Sequence, residues 1–265
     1  MQDNYEKQLF NAMADYVKEN TQKVKVSDEN LLLQSLHLTY YLGRSRSFIF
    51  KNKKIHSIES SLIHPVTVDL MTANGACGSY AYILSRLLNE LNIPNRIAQM
   101  KVGGLYGGHI LVEAKIADKW VVLDGSYDLC FKKRDGSLAS FEDVQTNWDY
   151  YRSQVPANYD SHYRYEGVRY TNWNKIPVVM PLIKNILYLI MGKEKAEGFS
   201  LRILFLRKFL VLFLITAFVY LLLIVTIFSR YIHKNRQAIT IYFPVLLSGK
   251  RIPSFVTDES IKNRA

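Results

Sequence analysis

The sequence predicts an α+β protein carrying one transmembrane helix, and three observations support that class. Residues 77–91, "CGSYAYILSRLLNEL", set Tyr80, Ile83, Leu84, Leu87, Leu88 and Leu91 on one side of a helix. Strand-like segments follow at once: "RIAQMKVG", then "HILVEAKI" and "KWVVLDGS", the last two separated only by a short turn at Ala117 and Asp118. Finally, the segment 209–228, "FLVLFLITAFVYLLLIVTIF", carries no charge at all. At about 1.5 Å rise per residue such a helix is about 30 Å long, the thickness of a bilayer core.

Composition agrees with a folded domain that leaves residues to spare. The chain has 265 residues, 49% of them apolar, with few Gly and Pro and many aromatics. Its formal charge is +11, unevenly distributed. Residues 1–175 hold 21 Lys/Arg against 19 Asp/Glu, and residues 176–265 hold 13 against 4. Because the basic excess sits beside the apolar run, it points to a lipid bilayer as partner and away from nucleic acid. The two cysteines, Cys77 and Cys130, cannot build a disulfide framework and show no metal-ligand spacing. His37, His56, His64 and His162 show none either, so no metal or other cofactor is expected. The opening stretch, "MQDNYEKQLFNAMADYVKEN", lacks a basic start followed by an apolar run, so a secretory leader is not expected and the thiols belong in a reducing compartment.

Taken in order, residues 3–20 predict a helix whose apolar side is Tyr5, Leu9, Ala12, Met13, Tyr16 and Val17. Ser27, followed by Asp28 and Glu29, predicts the cap of a second helix that runs to Leu42 and ends at Gly43. The basic stretch "GRSRSFIFKNKKIHS" reads as a solvated loop or short strand, and Pro65 as a break before "VTVDLMTANGA". The helix from Cys77 stops at "NIPN", and the 109–116 and 119–124 segments form an antiparallel hairpin. "KKRDGS" holds a turn signal and "SFEDV" a short helix. The aromatic residues of 148–173, Tyr159 and Tyr163 among them, read as packing of a domain edge more than as the lining of a cleft. These readings divide the chain into a domain at 1–175, an interfacial juxtamembrane segment at 176–208, the span at 209–228 and a basic tail at 229–265. The segment at 176–208 is assigned to the interface because its first apolar piece is too short to cross and carries Lys184. Basic residues flank the span on both sides, with a slight excess before it, which leans toward a cytoplasmic N-terminal domain.

The chemistry starts from Cys77. A thiol attacks as its thiolate, and a helix N-terminus favours negative charge. "NGAC" places small residues on the approach side of this thiol. Such a nucleophile requires a base within hydrogen-bond reach and a third group to orient that base. His109 opens one strand of the hairpin after two glycines, and Asp124 closes its partner strand, so the two residues lie at the same end. Glu113 shares the His109 face, where surface or ion-pair duty is expected; Cys130 reads as a small buried hydrophobe. The Cys77 backbone N–H is one oxyanion donor for the resulting site, and Asn74 is the candidate for the second.

"NGACGSYAYILSRLLNELNIPNRI", "GGHILVEAKIADKWVVLDGSYD" and "DGSLASFEDV" resemble the transglutaminase-like, papain-related superfamily over about residues 65–145. The resemblance implies a nucleophile helix packed on an antiparallel sheet, with Cys77 as nucleophile, His109 as general base and acid, and Asp124 orienting His109. It implies a thioester formed with the carbonyl of a protein, peptide or other amide-bearing substrate, then transfer to an amine or to water. A non-catalytic binding or scaffold protein of the same fold, held in a membrane assembly with a membrane-protein partner, is the rival expectation.

Overall fold

A computed structural model of the chain describes residues 2–22, 27–50, 66–72, 77–199 and 209–234. It separates into two units, Met1–Leu212 and Phe213–Ala265. The first unit is α+β.

Its helices α1 (Gln2–Gln22), α2 (Asp28–Phe50), α3 (Val66–Thr72) and α4 (Cys77–Glu90) precede a five-stranded sheet. The strands are β1 (Asn95–Val102), β2 (Leu105–Ile116), β3 (Lys119–Asp124), β4 (Leu129–Cys130) and β5 (Val168–Arg169). They lie in the order β4-β3-β2-β1-β5, and every neighbouring pair is antiparallel.

Both faces of the sheet are covered. Ile97, Val112, Ala114 and Leu123 join one core with the helices, where Phe10, Val17, Leu32, Leu36, Ile83, Leu84, Leu87 and Leu88 are almost fully buried. Residues one step along each strand, Ala98, Met100, Leu111 and Val122, join a second core with Phe131, Phe141, Tyr151 and Tyr165. The two-residue alternation of a strand assigns each side chain to one core or the other. Helix α4 holds the first core together because α1, α2, α3 and the sheet all pack on it.

Local chemistry sets several boundaries. The Ser27 hydroxyl accepts the Asn30 N–H and caps α2. Asn92, in the left-handed region at φ 58°, ends α4 while the Ile93 N–H bonds the Leu88 carbonyl. Ala117 and Asp118 both have positive φ, giving the β2–β3 hairpin the mirror-image turn that its strand twist needs. Ser140 and Asp143 form a reciprocal capping box at the start of α5 (Phe141–Thr146), the short helix expected from "SFEDV". Helix α6 (Trp148–Tyr151) follows.

Other expectations are corrected. The buried row of α1 is Phe10, Met13, Ala14, Val17 and Thr21, while Tyr5, Leu9 and Tyr16 are exposed. The helix is therefore turned relative to the sequence reading, and Phe10 makes the inner contact. Helix α2 does not end at Gly43. It continues to Phe50, and the residues read as a loop start are helical. Gly43 instead leaves room for the Tyr80 ring of α4, since a Cβ there would lie 2.3 Å from it. The role of this glycine is close approach of two helices. Its sequence position suggested termination.

Beyond the sheet, α7 (Val179–Met191) and α8 (Lys193–Gly198) belong to the first unit. Helix α9 (Phe209–Lys234) begins at the expected residue and continues beyond Phe228 to Lys234. Within its stretch Phe213–Lys234 an 18-residue run has mean hydropathy 2.2 with none of it buried, and the helix is long and apolar enough to cross a membrane.

Candidate active site

Cys77 is the first residue of α4, so its thiol sits at the positive end of the helix dipole. His109 lies on β2 opposite Met100, and Asp124 ends β3. Val112 opposes Leu123, which sets Asp124 diagonally from His109 on one sheet face. Their side chains meet there: His109 Nε2 and Asp124 Oδ2 are 2.7 Å apart, and both residues are 1% exposed. The other ring nitrogen, Nδ1, is buried and has no hydrogen-bond partner among the described residues. The Cys77 thiol interacts with the same ring. The imidazole thus bonds the carboxylate and feels the sulfur, and the three groups come from three elements.

Burial by itself would push the Cys77 thiol up, but hydrogen bonding and charge interaction with His109, helped by the Ile110 backbone, bring it below the ordinary 9.0. Burial would likewise push His109 down. The Asp124 carboxylate and the Cys77 sulfur outweigh it and lift the imidazole from 6.5 to about 9. Both shifts favour the same state, a thiolate beside an imidazolium.

Asp124 is held on every side. Oδ2 also accepts the Tyr159 hydroxyl at 3.2 Å, and Oδ1 accepts the Ser126 N–H at 3.0 Å. Tyr159 in turn meets the Tyr165 hydroxyl at 3.3 Å. The Tyr163 ring stacks on the His109 imidazole with centroids 4.0 Å apart and planes 17° from parallel, and Tyr127 stands edge-on at 6.2 Å. A π-face against imidazolium favours the charged ring.

The aromatic run therefore serves two purposes. Tyr151 and Tyr165 pack the second core as expected, whereas Tyr159 and Tyr163 reach the Cys77 site. Their composition alone does not separate the two sets, because all four are tyrosines within one short stretch of sequence. Asn74 lies outside the described residues, as do His56 and His64.

Of the two duties expected of Glu113 the ion pair holds: the residue is 1% exposed and pairs with Arg96 at 2.8 Å. Arg96 is itself clasped between the Trp120 and Tyr170 rings, 4.0 and 3.8 Å from their centroids. This cluster occupies the opposite end of the β1–β2 pairing from His109. Cys130 is half-buried against the first core, and burial raises its pKa, the opposite of Cys77. Among the described residues no group of three His, Cys, Asp or Glu is arranged to hold a metal ion. His37 pairs with Asp128 and His162 with Asp160 on exposed surface.

Comparisons with protein-family models, with curated proteins and with solved structures find no match to this chain.

Proposed function

We propose that this chain is a membrane-anchored, cysteine-dependent acyl transferase or amide hydrolase of transglutaminase-like, papain-related type. The observation that carries the reading is the 2.7 Å contact between His109 Nε2 and Asp124 Oδ2, which leaves Nδ1 for Cys77. A carboxylate on one nitrogen fixes the tautomer and orientation of the ring, so the other nitrogen can exchange a proton with sulfur and substrate.

The thiolate of Cys77 attacks the carbonyl carbon of an amide, and the C–N bond breaks as His109 Nδ1 delivers its proton to the leaving amine. The product is a thioester on Cys77. Water or a second amine then attacks that carbonyl, His109 takes up the attacking group's proton, and the sulfur departs as thiolate. The first N–H groups of α4 point toward the charge that develops on the carbonyl oxygen. Substrate is a protein, peptide or other amide-bearing molecule. Helix α9 supplies the anchor, with its N-terminal domain on the cytoplasmic side.

The test is iodoacetamide alkylation of the full chain across pH, with Cys130→Ser removing the second thiol. Cys77 is expected to react below neutral pH, and at least tenfold more slowly there in His109→Ala. Reaction like an ordinary thiol, with a midpoint of about 8.5, overturns the enzyme reading in favour of a binding or scaffold protein.

A further inference from the structure

Helix α7 has two apolar rows. Met180 is buried, and Ile183 and Leu187 are half-buried, so the inner row is the covered one. The outer row is Val179, Leu182, Ile186, Leu189 and Ile190, at steps of three, four, three and one along the helix. These five side chains are 49%, 59%, 47%, 89% and 72% exposed. An aliphatic stripe of this kind left open to water marks a surface that another apolar phase covers.

We propose that the outer stripe of α7 lies in the interfacial layer of the bilayer that α9 crosses, so that the Cys77 unit rests on the membrane surface. A helix of this length extends about 20 Å, too short for the roughly 30 Å hydrocarbon core. A helix lying in the plane of the interface needs no such length.

The chain itself points to lipid as the occupant. Only a short connection separates Met191, the end of α7, from Phe209, where the apolar helix α9 begins. At no more than about 3.6 Å per residue, that connection keeps the stripe within roughly 65 Å of the anchor along any path. Tethering at such a range gives the second contact a high effective concentration. The connecting residues include Lys193, Lys195, Arg202, Arg207 and Lys208 against Glu194 and Glu197, a bias suited to anionic headgroups. On α7 the only charge is Lys184, whose ammonium lies over the Tyr188 ring at 5.1 Å. Both are half-buried residues off the outer row, long enough to carry their polar ends toward headgroup level.

The inference rests on the anchor reading of α9, and the experiment separates the two. The full chain is placed in phosphatidylcholine–phosphatidylglycerol vesicles, with Cys77→Ala and Cys130→Ser removing native thiols. Spin labels are attached in turn at Leu182→Cys, Ile186→Cys, Leu189→Cys and Asn185→Cys. Labels on the stripe are expected to meet oxygen dissolved in lipid more than a water-soluble nickel chelate, and the Asn185 label the reverse. In a Leu182→Glu, Leu189→Glu chain, folded because both sites are exposed, the Ile186 label is expected to lose that preference. Nickel access along the whole stripe overturns the proposal. So does spin–spin broadening that disappears on dilution with unlabelled protein, which indicates a second copy. Exclusion of both reagents, the sign of a covering segment of the same chain, overturns it as well. Alkaline carbonate extraction reads the anchor alone: release of the protein defeats the anchor reading, while retention with a nickel-accessible stripe defeats only the role of α7.

Discussion

The Tyr159 hydroxyl and the His109 ring share one oxygen of Asp124, at 3.2 and 2.7 Å. The tyrosine is therefore a positioning residue acting through the carboxylate. Tyr159→Phe removes a hydrogen bond to a charged acceptor and is expected to cost about 1–3 kcal/mol of stability. It also frees Asp124 to interact more fully with the imidazolium, so the His109 titration near pH 9, followed by NMR, moves upward. If the ring of Tyr159 served only packing, the titration would stay where it is. Cys77 and Asp124 could be read from the sequence because each is a special chemical type at an element end, and His109 because it follows two glycines, although it lies inside β2, which starts at Leu105, and does not open the strand. Tyr159 and Tyr163 could not, since their partners sit far upstream on β3 and β2 and no local pattern links them.

Three elements carry the site, α4, β2 and β3, and small residues set how closely two of them approach other parts of the fold. Gly108 directly precedes His109, and a Cβ there would stand 2.6 Å from the Val102 Cβ on β1. The β1–β2 register also shifts between Met100 and Lys101, beside this point. Gly108→Ala is expected to spread the hairpin, cost about 1–3 kcal/mol and slow alkylation of Cys77. Val102→Gly in the same chain removes the clashing atoms and should restore the alkylation rate, though not all of the stability, because glycine weakens a strand by about 0.5–1 kcal/mol. Thermal melting and the alkylation assay read the two effects separately. At Gly43 the same reasoning explains why sequence and structure part: glycine after an amphipathic segment is a common helix end, but the Tyr80 ring needs the space. Only the packing of α2 on α4 reveals that need.

At the scale of the whole molecule, the site couples folding to protons in a specific way. The raised pKa of His109 stabilises the folded state below its unfolded value of 6.5, and that contribution is lost as pH rises through about 9. The lowered pKa of Cys77 contributes above its unfolded value of 9.0 and is lost as pH falls through its folded value. Between 6.5 and 9.0 the unfolded imidazole has lost its proton while the folded one keeps it until about 9. The lowered thiol offsets that uptake wherever pH lies above its folded value, so the pair's pH dependence is weakest there. Cys77→Ala removes one side of the balance. Its folded form keeps a proton on His109 that the unfolded form lacks, so its melting temperature should fall as pH rises from 6.5 toward the folded value of the ring. A variant whose stability falls no more steeply than the parent's toward pH 9 would contradict the coupling.

The sequence by itself determined the α+β class, the run of helices before an antiparallel sheet, the apolar helix at the C-terminal side and the three residue types that meet at the site. These follow from periodicity, turn residues and element ends, which are short-range properties of the chain. Only the tertiary structure decided which nitrogen of His109 faces the carboxylate, which tyrosines support it, which side of α1 is buried and how far α2 runs. Those outcomes depend on contacts between elements distant in sequence, where competition for space and for hydrogen-bond partners overrides local preference.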